Sequence, residues 1–326
     1  MINLLLLTSF SCSVQNDRDL LKIADIRIRD PFIYADKENH TYYLYAQAAN
    51  RSGSNFTGVE VYKSRDMFNW NAPVPVLKLK EDKGIIAVWA PEMHKYKGKY
   101  YLFVTLTFNK KVTAEKPVKK SWPEMNVRGT HVFYADSPLG PFKPFGDRSF
   151  TSQNWMALDG TLYVENDIPY MVFCHEWVQL IDGTIDYIKL KKDLSGPVGK
   201  PRLLFRASDA PGAVSDTQKG KVTDGCFLYH SEKSDKLFMI WSTFIPGSGY
   251  CVMLTQSESG TIEGRWMKQT IIYKNNGGHG MLFRSFDGNL LMALHQPNTS
   301  DKERLHLYKI KDTGNTLIVG NELKEQ

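Results

Sequence analysis

The sequence has few cysteines, no long hydrophobic run and no concentrated charge. Its 326 residues contain four cysteines, with no CxxC pair and no metal-type spacing, so neither a disulfide framework nor a zinc site is expected. The apolar run near the start, Leu4 to Leu7, is far shorter than the roughly 20 residues of a membrane-spanning helix. Lys and Arg are spread along the chain and the net charge is only +6, which argues against nucleic-acid binding. A folded globular protein is the remaining class.

The first residues resemble a bacterial export signal. The apolar run is followed by small residues and Cys12, after which the chain becomes polar. This pattern predicts a leader and short linker over residues 1–19, in which Cys12 could carry a lipid anchor. The expected location is the periplasm or the outer-membrane surface. The alternative is an apolar tail without a targeting role.

A hairpin pattern recurs five times along the chain. Each copy starts with an acidic, small or His residue, then a small residue, and continues as an apolar strand, a polar turn and a second apolar strand. The heads of the copies, roughly 55 to 70 residues apart, are Asp30, Ala90, Asp159, Asp224 and His279. Long helical periodicity is absent. We therefore predict an all-β domain over residues 20–326, a five-bladed β-propeller with four-stranded antiparallel blades. Two β-sandwiches would not explain the repeated head.

The five heads are expected to meet at one mouth of the central channel. In such a ring the like-charged carboxylates raise one another's pKa and the charged groups lose hydration, which a purely structural ring would avoid. The second strands reach the same height at polar positions, namely Gln47, Thr105, His175-Glu176, Thr243 and His295-Gln296. A channel end lined in this way suits a sugar, with His175 among the candidate contacts.

Three tryptophans lie next to the proposed channel residues. Trp89, Trp155 and Trp177 could stack on the apolar faces of a sugar. Packing between blades is the alternative for each of them.

Four motifs, taken in chain order, resemble a known family. They are Arg29-Asp30-Pro31-Phe32, Trp89-Ala90-Pro91-Glu92, Leu158-Asp159-Gly160 and Gly278-His279-Gly280. At this spacing they resemble glycoside hydrolase family 43, five-bladed propeller enzymes that remove arabinofuranosyl, xylosyl and related sugars from plant polysaccharides. The resemblance extends from about Ile28 to Leu294.

The resemblance implies roles for the acidic residues. Asp30 would be the general base that activates water, and Asp159 would tune the pKa of the general acid and hold that acid in position. Blade four departs from the family, because it has Asp224-Gly225-Cys226 where the family usually has Glu-Gly-Pro. The shorter side chain leaves two candidates for the acid, Asp224 and Glu176. The family inverts the anomeric centre, so one carboxyl is expected on each side of the scissile bond.

Other residues keep two interpretations each. By the resemblance, His279 would help to hold a calcium ion or a water in the channel, or it would plug the channel by bonding to backbone. Arg284 could face the channel and touch a sugar hydroxyl, or form a salt bridge. The insertion Asn109 to Gly129 is either a rim loop that shapes the pocket or a solvated linker. No cofactor beyond this calcium is implied, and a monomer is expected.

The predicted function is an exo-acting, inverting glycosidase. Its products would be terminal sugars such as α-L-arabinofuranose, β-D-galactofuranose or β-D-xylose, released from an oligo- or polysaccharide. The alternative is a non-catalytic glycan-binding propeller in which Asp224 has lost the role of general acid. A fructan-processing propeller is disfavoured, because blade one reads Arg29-Asp30-Pro31-Phe32 rather than Asn-Asp-Pro-Asn.

Overall fold

The computed structural model describes residues 20–48, 54–80, 83–214 and 220–325. The predicted leader over residues 1–19, including Cys12, lies outside the described residues. Within them, 22 β-strands pair into five antiparallel sheets. The five-bladed propeller predicted from the repeated hairpins is therefore confirmed.

Each sheet is one blade. Blade one contains β1 (Leu21–Lys22), β2 (Phe32–Asp36), β3 (Thr41–Ala48), β4 (Gly58–Ser64), β5 (Asn69–Trp70) and β6 (Val74–Lys78). Blade two contains β7 (Ile85–Tyr96), β8 (Lys99–Lys111), β9 (Asn126–Ala135) and β10 (Lys143–Pro144). Blade three contains β11 (Ala157–Glu165), β12 (Ile168–His175), β13 (Thr184–Leu190) and β14 (Pro197–Arg206). Blade four contains β15 (Asp224–His230), β16 (Leu237–Ile245), β17 (Gly249–Gln256) and β18 (Thr270–Tyr273). Blade five contains β19 (Gly278–Arg284), β20 (Leu290–Gln296), β21 (Arg304–Asp312) and β22 (Leu317–Glu322).

Helical structure is sparse in the described residues. It comprises the one-turn α-helix α1 (Trp177–Leu180) and short 3₁₀ turns at Ile23–Asp25 and Ala207–Asp209. No described helix is long and apolar enough to cross a membrane.

The first main strand of each blade lies at the centre of the molecule. β2 contacts β7, β7 contacts β11, β11 contacts β15, β15 contacts β19, and β19 contacts β2 again. These five strands close a ring around a channel. Because every inner strand runs from the same face of the ring, the starts of the strands meet at one channel mouth.

Large side chains fill the space between the blades. Trp70 and Trp241 are fully buried, and the indole of Trp241 donates a 2.8 Å hydrogen bond to Gln269 Oε1. The rings of Tyr42 and Phe286 stack with centroids 3.9 Å apart, which joins blade one to blade five. The hydrogen bond to Gln269 matters because a buried polar atom without a partner is costly.

Each blade has the same backbone kink in its inner strand or just before it. The kink residues have positive φ angles, at 52° for Asp30, 41° for Ala90, 56° for Asp159, 53° for Gly225 and 52° for His279. In blades two to five, the kink lies in a β-bulge at which the ladder register shifts. Positive φ is uncommon outside glycine, so four non-glycine residues here mark a strained and repeated position.

The position of the kink in blade four shows that Asp224 was wrongly predicted as the head of that blade. Its kink residue is Gly225, so Asp224 is not the head of the blade but lies one residue before it. Asp224 holds the ladder position that Leu158 holds before Asp159, because each is the last paired residue ahead of its bulge. Glycine adopts the kink without strain, and the blade-four carboxylate enters the site from the preceding position.

Candidate active site

The kinked strand ends surround a cavity of about 340 Å³. The predicted site residues that line it are Asp30, Trp89, Asp159, Glu176, Trp177, Asp224 and His279. Glu303 lines it as well, so five carboxyl groups and one imidazole share a single cavity. Their charge states decide what the cavity can do.

Asp30 is ionised because it faces two cationic groups. Its Oδ1 atom lies 3.1 Å from His279 Nδ1 and 3.8 Å from Arg29 Nε. Burial alone would raise the pKa of Asp30, but the charges of His279 and Arg29 outweigh burial and hold that pKa well below its usual range. A permanently ionised carboxylate that lines a cavity can accept a proton from a water molecule.

His279 carries the opposing charge. Burial disfavours the imidazolium, yet Asp30 and Asp159 raise the pKa of His279 to about 10. Its backbone N–H donates to Ser242 Oγ at 2.8 Å. His279 therefore holds Asp30 in its ionised form and fixes the orientation of that carboxylate.

The calcium ion predicted at His279 would have to compete with the proton that the imidazole carries. A protonated imidazole that faces carboxylates has no lone pair to offer at that nitrogen. Within the described residues, no group of three or more His, Cys, Asp or Glu side chains has the spacing of a metal site. Calcium binding stays a prediction, and no catalytic step below depends on it.

His295 supports Asp30 from blade five. Its Nδ1 atom accepts the backbone N–H of Asp30 at 3.2 Å, and its Nε2 atom lies 3.2 Å from Asn298 Oδ1. Burial lowers the pKa of His295 to about 4, so the ring is neutral with its proton on Nε2. The sequence marked His295 only as a polar position on a second strand.

Asp159 is more deeply buried than Asp30, with 4% of its side chain exposed against 11%. Burial, together with the charges of Asp224 and Asp30, raises its pKa to about 8 against the opposing charge of His279. Its Oδ2 atom accepts the backbone N–H of Gly225 at 2.9 Å. That bond fixes the carboxylate against blade four.

The backbone N–H of the kink donates to a side chain of the preceding blade. Asp159 donates to Thr105 Oγ1 at 2.9 Å, and His279 and Asp30 donate to Ser242 and His295 as described. In blade three the corresponding position on the second strand is Cys174, a poor acceptor. The N–H of the next kink, Gly225, is satisfied instead by the side chain of Asp159.

Asp224 has the features of a proton donor. Burial raises its pKa to about 6 against the charge of His279, and the charges of Glu176 and Asp30 add to the rise. Its Oδ2 atom accepts a 3.1 Å hydrogen bond from the Tyr250 hydroxyl, a partner that was not predicted from the sequence. A carboxyl that keeps its proton up to about pH 6 can protonate a leaving oxygen.

The other candidate acid, Glu176, is held in an ion pair. Its Oε2 atom bonds to Nη1 of Arg128, and the side chains are only 11% and 8% exposed. Burial raises the pKa of Glu176, while Arg128 acts in the opposite direction. The Cζ atom of Arg128 also lies over the Trp89 ring, 3.8 Å from the ring centroid. Arg128, at the end of the predicted insertion, was not recognised from the sequence.

Three predicted substrate contacts lie elsewhere. His175 is buried, with Nε2 2.8 Å from Gln179 Oε1, and its ring stacks on Trp155 with centroids 4.0 Å apart. Neither residue lines the cavity. Arg284 ends β19 away from the kink, where it pairs with Glu232 and donates to the Gly288 carbonyl. The positions of His175, Trp155 and Arg284 therefore correct the prediction that they touch the substrate.

The insertion predicted as a rim loop is attached to the cavity wall. Its central part, residues 112–125, follows β8 and packs on α1. The indole of Trp122 donates to the Val178 carbonyl at 2.7 Å, and its ring meets Trp177 edge to face at 5.3 Å. The buried amide of Gln179 donates to the Thr113 carbonyl. The loop thus supports Trp177, which lines the cavity, as the rim-loop interpretation predicts.

Gly225 allows a direct test of the kink geometry. A Cβ atom there would lie 2.8 Å from His279 Cγ, in a backbone conformation that glycine favours. We expect Gly225→Ala to lower the free energy of unfolding by about 1–3 kcal/mol and to reduce activity by displacing His279. Gly98→Ala is the matched control, since Gly98 also has positive φ but has nothing within 4 Å of the added atom. Equal destabilisation of both variants in urea would contradict the predicted clash.

The fold and the opposed charge states of the carboxyls define a site of the glycoside-hydrolase type. The sequence profile of glycosyl hydrolases family 43 matches residues 23–313. The chain belongs to this family.

Individual relatives support the same assignment. The structure of an endo-arabinase from Bacteroides thetaiotaomicron VPI-5482 is 35% identical, with a TM-score of 0.76, and the match covers 90% of this chain and 97% of that chain. An extracellular exo-α-(1→5)-L-arabinofuranosidase of Cellvibrio japonicus is 21% identical over 88% of this chain and 82% of its own length. An α-L-arabinofuranosidase structure from Lactobacillus brevis is 17% identical, covers 94% and 97% of the two chains with a TM-score of 0.71, and shows the fold alone.

Proposed function

We propose that the protein is an inverting, exo-acting glycosidase that releases terminal α-L-arabinofuranose from oligo- or polysaccharides. β-D-Galactofuranose and β-D-xylose are the next candidate sugars. The proposal rests on one observation, the contrast between ionised Asp30 and Asp224 with its raised pKa in a single cavity. The relatives named for arabinose-containing substrates favour arabinose among the three sugars.

The two carboxyls perform the two proton transfers of hydrolysis. Asp30 removes a proton from a water molecule as the water oxygen bonds to the anomeric carbon. Asp224 donates its proton to the glycosidic oxygen as the bond from that carbon to the leaving group breaks. One water is consumed and the configuration of the anomeric carbon inverts.

Asp159 decides where the shared proton resides. It accepts a fixed backbone N–H from Gly225 and lies 3.9 Å from the His279 imidazolium, and both interactions favour its charged form. The hydrogen bond that Asp224 accepts comes from a neutral hydroxyl, that of Tyr250. The pKa values alone, about 8 for Asp159 and about 6 for Asp224, favour protonation of Asp159. We assign the working proton to Asp224 because the Gly225 N–H and the His279 imidazolium both stabilise the charged form of Asp159, and that charge then keeps the proton on Asp224.

The rim loop supports exo action. By bracing α1, it builds a wall on the side of the cavity where blades two and three meet. We infer that this wall favours the binding of a chain end over that of a long polysaccharide crossing the mouth.

We also propose that the protein is exported and acts as a monomer. The leader pattern with Cys12 and the extracellular relative from Cellvibrio japonicus support export to the periplasm or, through a lipid anchor, to the outer-membrane surface. A single chain closes the propeller ring and supplies every cavity residue described here, so the site needs no partner chain.

Product analysis tests this proposal. We expect hydrolysis of aryl α-L-arabinofuranoside, faster than that of aryl β-D-galactofuranoside or β-D-xyloside, and release of only monosaccharide from arabino-oligosaccharides. Proton NMR at early times should show the anomer opposite to that of the substrate. Longer oligosaccharides as first products would contradict exo action. Sugar binding without hydrolysis of any substrate would favour the non-catalytic alternative.

A further inference from the structure

We propose that Glu176 is a sugar-binding residue, whose carboxylate is presented to a hydroxyl of the bound sugar by a clamp made of Arg128 and Trp89. This proposal rests on the proposed function of the same cavity. It gives Glu176 a role in positioning and selecting the sugar, rather than in donating the proton.

Arg128 is fixed on three sides. Its Nη1 atom pairs with Glu176 Oε2, its Nε atom donates to Thr107 Oγ1 at 2.8 Å, and its Cζ atom lies over the Trp89 ring, 3.8 Å from the centroid. Arginine stays charged at every relevant pH and combines planar hydrogen bonding with stacking. The clamp therefore holds Glu176 and Trp89 in a fixed relation to each other.

The second oxygen of Glu176 remains available to a ligand. Glu176 lines the cavity, and in the described part of the chain Oε1 accepts no hydrogen bond, while Oε2 is occupied by Arg128. An ionised carboxylate can only accept hydrogen bonds. A sugar hydroxyl is a donor of the required kind, and it replaces the water lost when the cavity fills.

Trp89 offers the complementary surface. Its indole also lines the cavity, with Arg128 packed against the ring, so it can contact the apolar face of a sugar. The clamp thus presents an acceptor and a flat apolar surface together. A sugar that has a hydroxyl at the edge of such a face is held at both points, which would discriminate between sugars of different hydroxyl geometry.

The isosteric change Glu176→Gln separates binding from proton donation. For a contact residue, kcat/KM should fall about 10- to 100-fold, the usual effect of losing a hydrogen bond to a charged group. The fall should be equal for dinitrophenyl and methyl leaving groups, and should appear mainly in KM. The alkaline limb of the pH profile should still be present. It should move to lower pH, because removing the charge of Glu176 lowers the pKa of Asp224.

Two further variants complete the test. Arg128→Met should make KM pH-dependent, because Glu176 without its partner takes up a proton and loses the acceptor. Glu263→Gln removes an exposed ion pair with Arg202 at the surface and should leave both constants unchanged. If Glu176→Gln instead slowed only the methyl glycoside and abolished the alkaline limb, Glu176 would be the acid and the proposal would be overturned.

Calorimetry separates this proposal from the proposed function. If the wild-type protein hydrolyses none of the aryl glycosides, binding of L-arabinose, D-galactose and D-xylose is compared between the wild type and Glu176→Gln. Weaker binding by the variant supports the sugar contact even without catalysis. Equal binding by both proteins overturns it, and a wild type that binds no sugar overturns both proposals.

Discussion

Replacing Asp30 with Asn is expected to lower kcat about 100- to 10,000-fold, the range for loss of a general base. The amide has nearly the same shape but cannot accept a proton from water. The effect should be as large with an activated leaving group as with a poor one, because the attack of water is impaired in both cases. Steady-state kinetics on dinitrophenyl and methyl arabinofuranosides would measure it.

Folding has to be controlled in this experiment, because Asp30 pairs with His279. The variant should keep its circular dichroism spectrum and its affinity for arabinose. Asp136→Asn serves as the matched control, since Asp136 is exposed and bonds to Lys99 at the surface, and it should retain full activity. A folded Asp30→Asn protein with more than a tenth of wild-type kcat would rule out Asp30 as the base.

Replacing Asp224 with Asn is expected to give a loss that depends on the leaving group. We expect about a 100- to 10,000-fold loss with a methyl glycoside and a much smaller loss with dinitrophenol, which leaves without protonation. The acid works in its protonated form, so the wild-type rate should fall as pH rises through the Asp224 pKa of about 6. The variant should lack this alkaline limb.

The acidic side of the profile follows from Asp30. The base works in its ionised form, and His279 holds the Asp30 pKa well below its usual range, so activity should persist far into acid until the protein unfolds. A pH profile of kcat/KM measures both limbs. An alkaline limb that survives in Asp224→Asn, but disappears in Glu176→Gln, would exchange the roles of the two residues.

The sequence was sufficient for the architecture because the repeated hairpins follow from local patterns. It was not sufficient to show which residue of blade four lies at the kink. Asp159-Gly160 and Asp224-Gly225 look alike, yet the kink falls on the acid in the first pair and on the glycine in the second. The difference depends on strand pairing at the bulge, which can be found by counting back from the apolar residues of the strand.

The errors in the candidate site have physical causes. Arg284 lies five residues beyond His279 on the same strand, which at about 3.3 Å per residue places it roughly 16 Å from the mouth. Arg128 and Tyr250 were missed, and the role of His295 was not recognised, because their contacts join distant strands. No local pattern encodes a hydrogen bond such as that between Asp30 and His295, which are 265 residues apart.

The bond from Asp30 to His295 also has a consequence for folding. It joins the first blade to the last, at the place where the ring of blades closes. Contacts between such distant segments form late, because the entropy of closing the intervening loop must be overcome first. The base can therefore reach its working geometry only once the fifth blade has docked on the first. During refolding, recovery of enzymatic activity reports the closure of the ring rather than the formation of individual blades.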